Sequence, residues 1–287
     1  MNHDILALIR ENMHAFSKGQ KRIANFILES YDKAAFMTAS RLGKTVGVSE
    51  STVVRFAAEL GYDGYPDMQK SLQKMIRNRL TSVQRIEVTN DRIGNQDLVS
   101  MVLQSDIEKI RLTLEELDRV DFEAAVDSIV SARKIYIIGV RSSAAIATFL
   151  TFYFNLIFDN VVEVSANTAS EVFERLMRVG EGDVVLGVSF PRYSSRTVQA
   201  MSFARDRRAT TIAITDSEAS PLASICTYTL KARSDMASFG DSLVAPLSLV
   251  NALLVAVSRK KNDDLASTFQ TLENIWVEYG VYEKVHE

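Results

Sequence analysis

The sequence predicts an all-α helix-turn-helix N-terminal domain followed by an α/β C-terminal domain with a five-stranded parallel sheet flanked by helices. Three observations carry that reading. The stretch Ala39 to Leu60 has the apolar spacing and glycine placement of two short helices joined by a tight turn. Residues 134 to 230 alternate β-branched runs with segments of helical periodicity. At 287 residues the chain is long enough for two domains, each with a core of its own, at about 150 residues per domain.

In chain order, residues 4 to 15 make a short amphipathic helix with Ile5, Leu8, Ile9 and Met13 on one side. Ser17 and Gln20 form a capping box for a second helix, in which Ile23, Phe26 and Ile27 recur at helical spacing. Lys18, Lys21 and Arg22 at its start are read first as a solvated face and only second as phosphate contacts. In ASRLGKTVGVSESTVVRFAAEL, Leu42, Val46, Val48, Val53 and Phe56 face inward. Gly43 stands where a larger side chain would hold the helices apart, and Gly47 stands at the corner, where positive φ suits glycine. Ser49 caps the second helix, and Glu50, Ser51, Thr52 and Arg55 point outward from the half that enters a major groove. Lys44, Ser49, Ser51, Thr52 and Arg55 are the DNA-binding candidates. The competing reading is a plain helical hairpin in a core. Gly61, Gly64 and Pro66 then enforce a turn before a helix near Asp67.

The expected domains are 1–77 for the helix-turn-helix, 78–96 for a polar linker, and 97–287 for the α/β domain with C-terminal helices. The helix beginning at Asp97 is long enough to act as an interdomain or dimer strut. Strands are expected at 134–139, 161–165, 183–189, 209–215 and 226–230. Their β-branched runs show little polar alternation, which fits strands covered on both faces.

Net charge is −3, yet residues 1 to 80 carry 12 Lys and Arg against 8 Asp and Glu, so a basic head precedes an acidic body and any DNA contact is local. Cys226 is the only cysteine, which rules out an internal disulfide and fits a reducing compartment; its flanks place it in a buried strand. The N-terminus lacks the basic start and apolar run of a secretory signal, and the apolar run Leu243 to Val257 contains Pro246 and is too short for a bilayer. The expected location is the cytoplasm.

Two loops at the expected carboxyl edge of the sheet hold the ligand chemistry. GVRSS brings Arg141, Ser142 and Ser143 after the first strand; SFPRYSSRT brings Ser189, Arg192, Ser194, Ser195 and Thr197 after the third. Hydroxyls, helix-start amides and guanidinium groups are what a phosphate ester needs. The alternative is that the serines only cap helices.

The run TVVRFAAELGYDGYPDMQKSL resembles the N-terminal domain of the RpiR family of bacterial regulators, through the Arg55-Phe56 pair and the Leu60-Gly61-Tyr62 turn. That resemblance implies that Ser51, Thr52 and Arg55 face DNA and that the domain works as a dimer. The second half resembles the sugar isomerase (SIS) domain, which implies a phosphosugar ligand. In the family's Gly-x-Gly-x-Ser loop this chain keeps Gly139 and Ser143 but has Arg141 for the second glycine. In Ser-x-Ser-Gly-x-Thr it keeps Ser194 and Thr197, with Ser195 for the glycine; the first serine position falls on Arg192, or alternatively on Ser189. The tail DSLVAPLSLVNALL resembles the last helix of SIS-type regulators, which implies that Asp241 and Ser242 border the pocket of this or a neighbouring subunit.

The expected function is therefore transcription regulation: a palindromic operator bound by a homodimer or homotetramer, a phosphosugar effector that shifts the helix around residues 97 to 118, and control of carbohydrate-metabolism genes. A phosphosugar isomerase or lyase is the alternative. Such an enzyme needs a base, and His3, His14 and His286 all lie off the expected sheet edge, leaving Glu171 and Glu174. Glu171 is retained as a sugar-hydroxyl acceptor. A third reading is an adaptor whose N-terminal helices bind protein. No catalytic residue, metal or cofactor is expected.

Overall fold

The computed structural model describes residues 5–76, 81–93, 97–165, 168–236 and 239–282. It divides into two compact units, Met1–Met101 with Met236–Asp241, and Val102–Asp235 with Ser242–Glu287.

The first unit is helical: α1 Ile5–Glu11, α2 Lys18–Glu29, α3 Tyr31–Ala34, α4 Ala39–Val46, α5 Glu50–Glu59, α6 Tyr65–Ile76 and α7 Ser82–Ile93. Its core gathers Ile5, Ile9, Ile23, Ile27, Leu42, Val53, Phe56 and Leu72, so each amphipathic stripe turns toward one centre. Ser17 and Gln20 form the expected capping box, and the same Gln20 donates to Glu59, tying α2 to α5. Phe16 packs against Phe56 as a tilted ring pair, centroids 5.0 Å apart. The Tyr65 hydroxyl donates to the Met37 carbonyl at 2.7 Å, and burial pushes its pKa up to about 12.

The polar stretch expected to serve as a linker contains α7. Arg85 on that helix is buried and donates to Asp241 at 2.9 Å, so a polar sequence stays helical because one face has found partners. The expected boundary between residues 77 and 78, and residues 78–80 and 94–96 of the expected linker, lie outside the described residues.

The second unit continues α8 (Leu98–Glu116) and adds α9 Arg119–Val130, β1 Lys134–Gly139, α10 Ser143–Ile157, β2 Val161–Glu163, α11 Ala169–Leu176, β3 Asp183–Val188, α12 Ser195–Asp206, β4 Thr210–Thr215, β5 Tyr228–Lys231, α13 Val244–Lys260 and α14 Asn262–Glu278. The five strands form one sheet in the order β2-β1-β3-β4-β5, every pairing parallel. Ile135 and Ile137 enter a core shared with α9, α10 and α13, while Tyr136 and Ile138 enter another shared with α11 and α12. Burial on both faces is why the central strands β1, β3 and β4 read as nearly unbroken apolar runs. Cys226 is not within a strand: it stands two residues before β5, half-buried, and burial pushes its thiol up to about 12.

Candidate nucleic-acid interface and ligand site

In the first unit α4 ends at Gly47, whose φ of 70° is the left-handed turn a side chain would strain. A Cβ on Gly43 would stand 2.8 Å from the Val48 carbonyl oxygen, so the close approach of α4 to the corner requires glycine. α5 then starts with Ser49 accepting from the Thr52 amide at 3.3 Å. The Ser49 hydroxyl also lies 2.9 Å from those of Ser51 and Thr52, gathering three hydroxyls at one helix start. Lys44, Ser49, Ser51 and Arg55 are exposed and Thr52 half-exposed, while Val53 and Phe56 on the same helix are fully buried. Arg55 Nε donates to the Ser51 carbonyl at 3.4 Å, which aligns the guanidinium along the outer face.

Two further residues belong to this face. Arg22 reaches over the turn, its Nη1 3.2 Å from where a Gly47 Cβ would be. Val54, beside Arg55, is 43% exposed, an apolar group in solvent on an otherwise amphipathic helix. Position 54 falls outside the Val53, Phe56 and Ala57 stripe, the signal in the sequence that sets Val54 apart.

In the second unit β1 and β3 are neighbours that end level, Gly139 opposite Val188. Adjacent strands lie about 4.8 Å apart, so the segments leaving them, Val140 to Ser142 and Ser189 to Ser194, start side by side. The chain leaves β1 for β2 on one side and reaches β3 on the other, the switch point at which parallel sheets open a crevice. A Cβ on Gly139 would meet the Ser143 carbonyl oxygen at 2.5 Å and Ala147 Cβ at 2.9 Å, so glycine lets α10 start hard against the strand end.

Both α10 and α12 point their N-termini to this edge, where free amides and the helix dipole favour an anion. Ser142 and Ser194 occupy the two cap positions, yet neither side chain closes a capping bond. Simple N-capping therefore does not account for them. Ser143 and Ser189 are buried, with Ser189 Oγ accepting from the Ser194 amide at 3.2 Å. Ser195 is exposed. Thr197 is fully buried, and its hydroxyl has no hydrogen-bond partner among the described residues. Arg141 and Arg192 are exposed, and both hold left-handed backbone, φ 61° and 63°.

The β3 loop is latched by a residue that motif reading passed over: the Tyr193 hydroxyl donates to Asp216, just after β4, at 2.7 Å. Thr215 adds a 2.7 Å bond to the Ser189 carbonyl. Other candidates have separate employment. Glu171 is the third residue of a capping box with Thr168, accepting from the Thr168 amide at 3.4 Å. Asp241, expected at the pocket, pairs with Arg85, and Ser242 donates to Asp106 at 2.7 Å. His14 belongs to the helical unit, and His3 and His286 lie outside the described residues.

Residues 3–79 match the family model described as a helix-turn-helix domain of the rpiR family, and residues 128–256 match that of the SIS domain. The chain is an RpiR-type helix-turn-helix regulator. An uncharacterised HTH-type transcriptional regulator of Caldanaerobacter subterraneus is 24% identical over 95% of this chain and 96% of its own length. The regulator HexR of Escherichia coli is 27% identical over 77% of this chain and 74% of its own. Among solved structures, Vibrio vulnificus NanR complexed with ManNAc-6P superposes with a TM-score of 0.59 at 24% identity, covering 96% of this chain and 99% of that one. The sugar isomerase domain of an RpiR transcription factor from Sphaerobacter thermophilus does so with the same TM-score at 28% identity, covering 62% of this chain and 99% of its own. No described helix of the regulator is long and apolar enough to cross a membrane.

The RpiR-type regulator thus keeps glycine-like backbone at Arg141 while adding a cation there. A non-glycine residue in that conformation costs about 1–2 kcal/mol. Arg141→Gly is therefore expected to raise the melting temperature while weakening inorganic phosphate binding, opposite signs that differential scanning fluorimetry with and without phosphate would read. A fall in both would refute the backbone assignment.

Proposed function

We propose that this regulator reads a palindromic operator with α5 and senses a phosphorylated sugar in the crevice between β1 and β3, and that it thereby controls carbohydrate-metabolism genes. One observation carries the sensor half: two helix N-termini meet at that crevice with two cap-position serines that close no capping bond, two arginines and a buried Thr197 hydroxyl that has no partner among the described residues. The ManNAc-6P held by NanR supports the ligand class. The phosphate sits among the α10 and α12 amides and the hydroxyls of Ser142, Ser143, Ser189, Ser194, Ser195 and Thr197. Arg141 and Arg192 close over it.

At the other end, residues 1–77 form the reading head and residues 97–287 the sensor. Ser51, Thr52 and Arg55 face base edges and Ser49 the backbone, with Val54 against a thymine methyl and Lys44 and Arg22 on phosphates. Operator palindromy implies a homodimer or homotetramer, working in the cytoplasm. α8 begins in one unit and continues in the other. The Arg233 amide donates to Thr113 at 2.9 Å and Ser242 to Asp106, so α8 is coupled to the segments after β5 and carries the signal.

An electrophoretic shift assay over a panel of phosphosugars tests this. At least one member should change operator affinity about 5- to 150-fold, the usual range of allosteric coupling, and silence across the panel would remove the sensor role. Catalysis is the second reading, and the capping-box engagement of Glu171 favours binding over turnover. Turnover of a phosphosugar that vanishes in Glu171→Gln would reverse that preference.

A further inference from the structure

Away from the sheet edge, the second unit has a groove of about 870 Å3 between α9 and α13. Its floor is apolar, with Phe122 on one helix and Ala252, Val255 and Ala256 on the other, and its rim carries Arg119 and Arg259. Lys260 adds charge there while paired with Asp127, and Glu123 is the one acid of the lining. Val255 is 69% exposed. Two alanines one turn apart allow a third helix to come close.

The last helix of the same unit has the complementary character. In α14, Leu265, Phe269, Leu272 and Trp276 recur at the four-three-four spacing of a helix that packs on helices. That stripe is half-buried in the single chain, and near it Val277 is 78% exposed and Tyr279, just past the helix, 74%. Between residues 262 and 282 the sequence has Asp263, Asp264, Glu273 and Glu278 and no lysine or arginine. An acidic apolar helix and a basic apolar groove thus stand on one unit.

We propose that α14 of a second copy of this chain seats in the α9/α13 groove, and that the exchange is reciprocal. The chain's own α14 cannot fill it. Lys261 alone separates α13 from α14, whereas folding a helix back along its predecessor takes two residues or more. A partner's helix has no such tether, and a hinge this short is the arrangement that favours exchange between copies. α14 has 17 residues, about 25 Å of helix. A standard stable interface buries about 1,600 Å2 in total, and two reciprocal seatings divide that requirement between them.

Trp276 is the sole tryptophan and lies on α14, so its fluorescence reports the seat directly. Diluting the full-length chain should move its emission to the red and raise its quenching by acrylamide. Two variants at exposed positions should give that red-shifted spectrum where the unsubstituted chain does not: Ala252→Phe, which fills the groove, and Arg259→Glu, which reverses the rim. Both should raise the dimer dissociation constant tenfold or more in analytical ultracentrifugation, with unchanged far-ultraviolet circular dichroism. A monomer at every concentration would overturn the proposal, as would a Trp276 spectrum indifferent to dilution. A concentration-dependent shift that neither substitution moves would put α14 on another surface and overturn it equally.

Discussion

Arg55→Ala is expected to weaken operator binding about 5- to 150-fold while leaving the melting temperature where it is. The first half follows from what a bidentate arginine–guanine contact is worth, about 1–3 kcal/mol, at tenfold per 1.4 kcal/mol. The second follows from burial. Arg55 is exposed and its one described bond is to the Ser51 carbonyl of its own helix, whereas the core contacts of α5 are made by Val53, Phe56 and Ala57. Removing an exposed side chain of that kind changes stability by no more than about 0.5 kcal/mol. Fluorescence anisotropy on the operator and on single-base variants, repeated at several salt concentrations, separates two roles. A base contact loses discrimination at one position. A phosphate contact loses affinity for all sequences alike and reduces the salt slope by about one. Unchanged affinity would remove Arg55 from the interface.

Gly139→Ala should be the most damaging single methyl group in the sensor. The added Cβ would stand 2.5 Å from the Ser143 carbonyl oxygen and 2.9 Å from Ala147 Cβ. Both neighbours belong to α10, which packs on the sheet through Ile146, Leu150 and Phe154, so it cannot yield locally. Overpacking of this kind costs about 1–3 kcal/mol, occasionally more. For a domain of this size that is roughly 2–4 °C per kcal/mol in melting temperature. The displacement also moves Ser143 and the α10 amides, so the operator response to phosphosugar should weaken with the melting temperature while DNA binding without effector persists. A melting temperature within a degree of the parent, with an undiminished response, would show that α10 does not need its present seat.

Much of this was legible because it is local. Gly43 and Gly47 declare a tight corner, since a Cβ there meets backbone or forces positive φ, and those constraints act within a few residues. The capping box at Ser17 and Gln20 is equally local. Strand positions came through because burial on both faces leaves an apolar run in the sequence itself. Where distant neighbours decide, local pattern is a poorer guide. α7 has a polar sequence and is helical with Arg85 buried against Asp241, a residue 156 positions away. Cys226 has strand-like flanks but precedes β5, whose pairing with β4 begins at Tyr228.

A basic helical head before a parallel α/β body, and two loops carrying serine and arginine, can be read from the linear order of residues alone. That those loops leave adjacent strands side by side, that Glu171 completes a capping box, and that Arg141 and Arg192 take left-handed backbone emerges from the three-dimensional fold. It also decided that Thr197 hides a hydroxyl with no described partner. Periodicity and turn chemistry are properties of a few consecutive residues, whereas a side chain's partner depends on which distant segment arrives beside it, and that is settled only when the sheet closes its register.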